Sequence, residues 1–356
     1  MAKETANKNL RSAKTDKKDE FYTQLSDIEK ELKHYKNHFK DKVVLCNCDD
    51  PRVSNFFHFF SYNFERFGLK RLIATCYKSQ DSDLFSQNNS ERAIYLEYTG
   101  DKNGNSVPDV NEIGIKHLQG DGDFRSKECI ELLKQADIVV TNPPFSLFRE
   151  YVAQLVEYEK HFIILGNSNA LTYKEIFKLI RENKVWLGAS IHSGDVEFMV
   201  PNDYEIRSKS LRIDEMGRKF IRAPSIRWFT NLDYIERHED LILYKKYNEE
   251  EYPKYGNFDA INVDVTKDIP VDYAGAMGVP ITFIDKYNPD QFEIIGLGIS
   301  NSGIEIGVQP YKPEHKKYRK EVQKRGAVDG DLYMMKNGIV EVPYARILIK
   351  NKKLWT

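Results

Sequence analysis

Several features are scarce in this 356-residue sequence, and each scarcity excludes a class of protein. No stretch approaches the roughly 20 apolar residues that a membrane-spanning helix needs. The lysine-rich N-terminus also lacks the apolar run of a signal peptide. The spacing of the four cysteines, Cys46, Cys48, Cys76 and Cys129, fits neither a disulfide framework nor a zinc site. We therefore expect a cytoplasmic protein that binds no membrane and no metal.

A strong net charge is also lacking, because 53 basic and 54 acidic residues leave the chain at −1. Such a balance does not identify a nucleic-acid-binding protein, so any DNA affinity must come from local clusters. Two lysine- and arginine-rich stretches are candidates, residues 3–18 and 312–325. A solvated tail or helix face explains each stretch equally well, and charge alone does not choose between these readings.

The order of apolar segments predicts an α/β protein. Buried strands are expected at 42–46, 71–76, 137–141, 162–166 and 185–188, with helical patterns between them. This alternation is typical of a doubly wound, mostly parallel, Rossmann-like sheet. A hairpin is expected from 93–98, and an antiparallel closing strand at 225–231. We expect a flexible basic arm over 1–18, a catalytic domain over 19–235, and a smaller, irregular domain over 236–356 with short strands such as 281–283.

The most specific pattern is Asn142-Pro143-Pro144-Phe145, between the apolar strand 137–141 and a helical pattern over 146–159. Two prolines fix φ and remove two N–H donors, so this turn cannot extend a sheet ladder. It offers instead an amide side chain, free backbone carbonyls and an aromatic ring. In an open α/β sheet such a turn lies at the carboxyl end of a strand, where ligands bind.

These groups suit a planar substrate with an exocyclic amino group. The lone pair of an aromatic amine is delocalised into its ring, so the amine is a poor nucleophile. Two acceptors for its N–H protons favour the pyramidal form that exposes the lone pair. The side-chain oxygen of Asn142 and the carbonyl of Pro143 are the candidate acceptors, and Phe145 is expected to stack on the ring. A proline turn that merely ends a strand is the alternative.

The motif resembles the catalytic motif of amino-group methyltransferases that use S-adenosylmethionine. Five stretches together resemble the EcoRI-type adenine-specific DNA methyltransferases: DEFYTQ (19–24), CNCDDPRVSNFF (46–57), GDGDFRS (120–126), TNPPFSLF (141–148) and VPITF (279–283). The resemblance extends over residues 15 to 295 and is weaker beyond, where RILIKNKK (346–353) is similar.

The resemblance implies the site residues. The catalytic set is Asn142, Pro143, Pro144 and Phe145. The cofactor-binding set is Tyr22, Thr23, Asn47, Asp49, Asp50, Pro51, Asp121, Asp123, Phe124 and Asn142. A carboxylate of the first loop is expected to meet the cationic amino group of S-adenosylmethionine, while Asp123 and Phe124 meet its adenine. Phe145 and Trp228 are expected to contact the target base.

The sequence departs from the common pattern at three places. Gln24 stands where the family often has proline, and Ser54 stands where the first glycine of the loop after the first strand would fall. Glycine would let the backbone approach a phosphate closely, but S-adenosylmethionine has no phosphate. No acidic residue ends the second strand, so the ribose partner is not identified.

The implied activity is methyl transfer from S-adenosylmethionine to N6 of a flipped adenine in double-stranded DNA, leaving S-adenosylhomocysteine. The resemblance suggests a GAATTC-like site and a role in restriction–modification or in phage or host DNA protection. No Pro-Cys dipeptide is present, which argues against cytosine C5 methylation through a thiolate. Two alternatives stay open: an RNA-base or protein-glutamine methyltransferase, and a catalytically dead DNA-binding relative.

The partner is expected to be duplex DNA. Residues 236–356 are rich in tyrosine, asparagine, lysine and arginine, types that contact phosphates and base edges. With the basic arm, they are expected to form the far wall of a DNA cleft and to recognise the target site. We expect a monomer, and a cognate restriction endonuclease need not bind to it.

Overall fold

The structure, a computed structural model, describes residues 22–49, 54–75, 93–105, 107–109, 111–192, 195–200 and 211–354. The chain divides into two compact units, Met1–Ala170 with Trp186–Tyr234, and Leu171–Val185 with Ile235–Thr356. Residues 171–185 therefore group with the C-terminal unit, although the sequence assigned them to the catalytic domain. The predicted arm over 1–18 lies outside the described residues.

The first unit contains most of the strands. In chain order its elements are β1 (Tyr22–Thr23), α1 (Leu25–Leu32), β2 (Val43–Cys46), α2 (Asn55–Tyr62), α3 (Phe64–Phe67), β3 (Arg71–Thr75), β4 (Ile94–Tyr98), β5 (Gly114–His117), α4 (Lys127–Gln135), β6 (Ile138–Thr141), α5 (Phe148–Glu157), β7 (His161–Asn167), β8 (Trp186–Leu187), β9 (Asp195–Val200), β10 (Leu211–Ile213), β11 (Lys219–Pro224) and β12 (Ile226–Thr230). Short 3-10 helices occur as well, one of them over Phe145–Leu147.

The large sheet has the strand order β5-β4-β3-β2-β6-β7-β12-β8. Its centre, β3-β2-β6-β7, is parallel, which confirms the predicted α/β fold class. Every residue of β2 and β6 is buried, as expected for strands covered on both faces. The first strand of this sheet along the chain is β2. The chain then adds β3 on one side of β2, and later β6 and β7 on the other side. The junction of β2 and β6 is therefore a topological switch point, where α/β sheets bind ligands.

The outer strands of this sheet are antiparallel. β4 and β5 extend one edge as the hairpin that the sequence predicted from 93–98, and β12 pairs with β7 as predicted for 225–231. The predicted strand over 185–188 appears as β8, and it runs antiparallel to β12. Because β12 itself runs antiparallel to β7, β8 has the same direction as the central parallel strands, as the alternation of strands and helices up to 188 predicted.

A smaller antiparallel sheet, β1-β9-β11-β10, belongs to the same unit. Tyr22 pairs with Met199 and Thr23 with Phe198. This pairing joins the start of the described chain to a strand more than 170 residues later. No local pattern in a two-residue strand could indicate it.

A buried carboxylate fixes the connection that leads to this second sheet. Glu31 on α1 is fully buried and accepts four hydrogen bonds: from the Tyr35 hydroxyl at 2.7 Å, the Ala189 amide at 2.9 Å, the Ser190 amide at 2.8 Å and the Ser190 hydroxyl at 2.5 Å. Burial and the neighbouring carboxylate raise the pKa of Tyr35, so its phenol remains a donor. Glu31 therefore holds the turn that precedes β9.

We expect Glu31→Ala to lower the free energy of unfolding by at least about 1–3 kcal/mol, because buried donors would lose their acceptor. Urea denaturation measures the change, and amide hydrogen exchange at Ala189 and Ser190 reports it locally. Glu29→Ala, on the exposed side of the same helix, serves as the control. Equal stability of the two variants would contradict this role.

The second unit is built around its own sheet. Its elements are α6 (Lys174–Arg181), β13 (Ala260–Asn262), β14 (Ala276–Pro280), β15 (Phe292–Leu297), α7 (Ser300–Glu305), α8 (Pro313–Glu321), β16 (Met334–Lys336), β17 (Ile339–Glu341) and β18 (Arg346–Asn351). The sheet order is β13-β14-β18-β15, and β16 with β17 forms a separate hairpin. The unit is more regular than the sequence suggested. The strand predicted at 281–283 is wrong, since 3-10 helix Ile281–Lys286 occupies it.

Among the described residues we find no helix with the length and apolar character that crossing a bilayer requires.

Candidate active site

The switch point brings two asparagines to the same edge of the sheet. β2 and β6 are neighbours in parallel register, so Asn47, just after β2, and Asn142, just after β6, follow adjacent strands. The Thr141 hydroxyl donates to the Asn47 carbonyl, and the Tyr151 hydroxyl donates to Asn47 Oδ1. All four residues are buried. The first loop and the proline turn are thus tied together by polar contacts shielded from water.

The proline turn leads directly into a helix. Asn142 and Pro143 are buried, whereas Pro144 and Phe145 are half-buried. The Leu147 amide donates to the Pro144 carbonyl at 3.0 Å, closing the 3-10 turn before α5. The Phe145 ring packs edge-on against Phe198 of β9, with centroids 6.5 Å apart. The structure therefore keeps the four motif residues together and gives the aromatic ring a fixed neighbour.

The loop after β2 contains the candidate carboxylates. Asp49 is half-buried, and its Oδ2 accepts a 3.4 Å hydrogen bond from the Ser54 hydroxyl. Ser54 has φ −66°, which any residue adopts, so this position does not require the glycine of the common pattern. Asp50 and Pro51 lie outside the described residues, and their predicted roles stay predictions.

The two cysteines at the end of β2 are not poised as nucleophiles. Burial raises the pKa of the Cys46 and Cys48 thiols, so both remain protonated at neutral pH. A thiol in that state is a weak nucleophile. In the described ranges, moreover, no three His, Cys, Asp or Glu side chains are grouped so that they could hold a metal ion.

β1 places Thr23 beside the first loop. The Thr23 carbonyl accepts a 2.7 Å hydrogen bond from Asn55 Nδ2, at the first turn of α2. The side chain of Thr23 is 1% exposed, and its Oγ1 has no hydrogen-bond partner among the described residues. A buried hydroxyl of this kind is costly unless a ligand satisfies it. Tyr22 precedes it in the strand and is half-buried.

The acidic turn before α4 is organised by an ion pair that the sequence did not reveal. Arg125 binds both oxygens of Asp123, at 2.9 and 2.7 Å. This arginine holds the pKa of Asp123 below its usual value, so the carboxylate stays charged until the pH falls well into the acidic range. Asp121 is exposed and accepts the Asp123 amide at 3.0 Å. Asp121 therefore shapes the turn.

Phe124 is linked to the switch point through Tyr151. The two rings meet edge-on, with centroids 5.0 Å apart. Phe124 is 8% exposed, and its carbonyl accepts from Gln154 Nε2 at 3.1 Å. Tyr151 thus contacts both the residue predicted to stack on an adenine and, through its hydroxyl, Asn47.

The structure corrects the prediction that Trp228 contacts the target base. This side chain is 1% exposed and packs edge-on against Phe56 in the core of the first unit. Every residue of β12 is buried, so its aromatic residues fill the core. Phe198 is the aromatic residue that adjoins Phe145 instead.

Comparison with known proteins decides the family. The family model described as adenine-specific methyltransferase EcoRI matches residues 9–352. The chain belongs to this family. It is therefore an enzyme, an adenine-specific methyltransferase, as the motifs at 19–24, 46–57, 120–126 and 141–148 predicted. Methyltransferases of this family and fold transfer a methyl group from a bound donor.

Three relatives carry the name Type II methyltransferase. M.EcoRI from Escherichia coli is 50% identical over 356 residues, 99% of each chain. M.MpnI from Mycoplasma pneumoniae is 42% identical, covering 80% of this chain and 83% of its own length. M.MgeORF184P from Mycoplasma genitalium is 39% identical, covering 80% and 84%.

Sequence reasoning missed three residues of this methyltransferase that the structure brings to the site. Tyr151 and Arg125 lie in the helical pattern after the motif and in the acidic turn, and both adjoin residues that were predicted. Their nearness to the motifs was the available signal. Phe198 had none, because its contact with Phe145 depends on the pairing of β9 with β1.

We expect Asp123→Ala to weaken S-adenosylmethionine binding about 10- to 100-fold, since a hydrogen bond to a charged group contributes about 1.5–3 kcal/mol. Titration calorimetry measures it. Glu150→Ala is the matched control, because Glu150 also pairs with Arg125, at 3.1 Å, but is largely exposed. Equal affinity of both variants for the cofactor would place the adenine of the cofactor elsewhere.

Proposed function

We propose that this enzyme transfers a methyl group from S-adenosylmethionine to N6 of adenine in duplex DNA, within a GAATTC-like site. The observation that carries the proposal is the switch point. There, Thr141 and Tyr151, on either side of the proline turn with its amide and carbonyl acceptors, donate hydrogen bonds to Asn47 in the loop after β2. A site for an amine and a site for its methyl donor thus share one rigid edge of the sheet.

The residues around the first loop fit the donor. Asp49 offers a carboxylate for the cationic amino group, and Thr23 offers a buried hydroxyl that lacks a partner among the described residues. Asp123 and Phe124 offer a charged carboxylate acceptor and an apolar ring edge for an adenine. S-adenosylmethionine would supply an electrophilic methyl group on a sulfonium, and S-adenosylhomocysteine is the product.

The protein's contribution to the chemistry is positioning and charge stabilisation. Asn142 Oδ1 and the Pro143 carbonyl would accept the two N–H groups of the adenine amine, which stabilises the positive charge that develops on nitrogen. Phe145 would stack on the base, which must leave the duplex because its amino group is paired there. As the N–C bond forms and the C–S bond breaks, the nitrogen becomes cationic and then releases one proton to solvent.

Family membership favours this reading over the two alternatives. An RNA-base or protein-glutamine methyltransferase shares Asn-Pro-Pro, but the matching family is adenine-specific and its relatives are Type II methyltransferases. A catalytically dead relative is disfavoured because Asn142, Pro143 and Phe145 are all present and held in one turn.

The biological setting follows from the relatives. Similarity to M.EcoRI at 50% identity supports the GAATTC-like site and a role in restriction–modification or in protecting phage or host DNA. Such an enzyme works where bacterial DNA is, in the cytoplasm. We propose that it acts as a monomer and that no endonuclease needs to bind to it.

Expression with a plasmid, followed by sequencing that detects modified bases, tests the activity and the site together. The expected result is N6-methyladenine at the inner adenine of GAATTC. Methylation confined to another motif would refute the proposed site, and an unmodified plasmid with a folded, donor-binding protein would refute the activity.

We expect Asn142→Ala to lower the single-turnover rate about 100- to 1000-fold, the typical loss when one such hydrogen bond is removed. Affinity for S-adenosylmethionine should change by less than about tenfold. Rapid-quench kinetics and calorimetry separate the two effects. Asn37→Ala, an exposed amide on the same unit, is the control, and a near wild-type rate for Asn142→Ala would contradict the assigned role.

A further inference from the structure

A cavity of about 590 Å³ lies in the second unit, and the proposed chemistry does not use it. Its lining includes the buried rings of Tyr255 and Tyr333 and the half-buried ring of Phe258. The exposed side chains of Gln309, Asp259 and Lys312 form its rim. Ligand sites commonly combine apolar rings with a few polar groups in this way. This volume lies within the range of small-ligand sites, about 300–1,000 Å³.

The cavity is preformed, because one buried amide ties its walls together. Asn257 is 5% exposed. Its Nδ2 donates to the carbonyls of Gln309 at 3.0 Å and Asp331 at 2.9 Å, and its Oδ1 accepts the Tyr333 amide at 3.2 Å. Gly256 lets the Tyr333 ring approach, since a Cβ there would lie 2.8 Å from that ring. The walls therefore need little ordering when a ligand enters.

A basic helix face begins at the rim. Lys312 precedes α8, and Lys316 and Lys320 follow at intervals of four residues, so the three share one face. Lys316 pairs with Asp329 at 2.7 Å. Lys312 and Lys320 are exposed and have no ion-pair partner in the described part of the chain. From Lys312 to Lys320 the helix rises about 12 Å, enough to contact more than one phosphate of a strand, whose nucleotides rise about 3.4 Å each along the duplex axis.

α8 is held by polar contacts and by Tyr318, which packs against the cluster of Tyr311, Tyr333 and Val340. The structure buries none of its residues. The Lys316–Asp329 pair and a 2.9 Å hydrogen bond between His315 Nδ1 and the Tyr333 hydroxyl hold it beside the cavity. A helix without an apolar stripe contributes little to the core. What it does provide is a fixed row of cations that starts at an aromatic cavity.

We infer that the mouth of this cavity and the basic face of α8 bind the DNA substrate outside the target adenine, with the edge of one base at the cavity and backbone phosphates along Lys312 and Lys320. The inference rests on the proposed function, because it takes duplex DNA as the substrate. Base edges meet Gln309 and Asp259, an amide and a carboxylate of the kinds that read adenine and cytosine. Lys312 lines the cavity and also begins the row of lysines, so it would contact the phosphate next to the bound base edge.

Charge-removing variants test the backbone contacts. Lys312→Gln and Lys320→Gln should each weaken binding of a GAATTC duplex about 3- to 10-fold at 0.1 M salt and reduce the slope of log Kd against log salt by about one. The single-turnover rate at saturating DNA should stay within twofold. Lys267→Gln is the control, since Lys267 is an exposed lysine of the same unit that has no ion-pair partner among the described residues. Effects no larger than those of the control would overturn the assignment.

Base contact is tested by Gln309→Ala and by photocrosslinking. Gln309→Ala should reduce the ratio of methylation rates between GAATTC and singly altered duplexes about 5- to 100-fold. Duplexes with 5-iododeoxyuridine at each thymine in turn should crosslink, at one position, to the peptide that contains Tyr255 and Phe258. Crosslinks confined to other peptides, with unchanged discrimination, would refute the cavity. Failure of the wild-type enzyme to methylate any duplex would instead refute the proposed function.

Discussion

The hydrogen bonds that Asn47 makes with Thr141 and Tyr151 are the constraint on which the site depends. Parallel pairing of β2 and β6 aligns the two strands, but their loops could still diverge. Thr141 holds the backbone at Asn47, while Tyr151 holds its side chain. Because these groups are buried, the bonds act in a low dielectric, and losing a partner would leave a costly unsatisfied group. The distance between the loop after β2 and the proline turn is thus set by the interior of the sheet.

This constraint matches a reaction that needs placement more than activation. Attack of a nitrogen on a sulfonium methyl group needs neither a metal ion nor a thiolate. Burial keeps the two cysteines next to Asn47 protonated. Bringing two reactants into line can supply most of the acceleration. The buried hydrogen bonds around Asn47 hold neutral acceptor groups in fixed positions, which serves that purpose. Arg125 likewise fixes the Asp123 carboxylate by binding both of its oxygens.

The sequence could predict those parts of the fold and the site that depend on contiguous residues. The buried strands at 42–46 and 137–141, the proline turn and the acidic turn each carry a local pattern, so the α/β fold and the candidate residues follow from it. The β1–β9 pairing and the Phe145–Phe198 contact depend on residues far apart in the chain. Trp228 shows the converse error, since an aromatic residue in a strand looks the same whether it lines a pocket or fills a core.

Near-zero net charge limits how such an enzyme can hold DNA. With 53 basic and 54 acidic residues, long-range attraction to a polyanion is weak. Some of the basic side chains in the described residues are also paired with carboxylates, as in Arg71–Glu97 and Lys316–Asp329. Affinity must then come from local groups of cations and from base contacts. Because nonspecific binding is then weak, a larger share of the free energy of DNA binding comes from contacts that differ between DNA sequences. Discrimination by a few polar groups on a preformed surface therefore suits this chain better than a broad basic cleft.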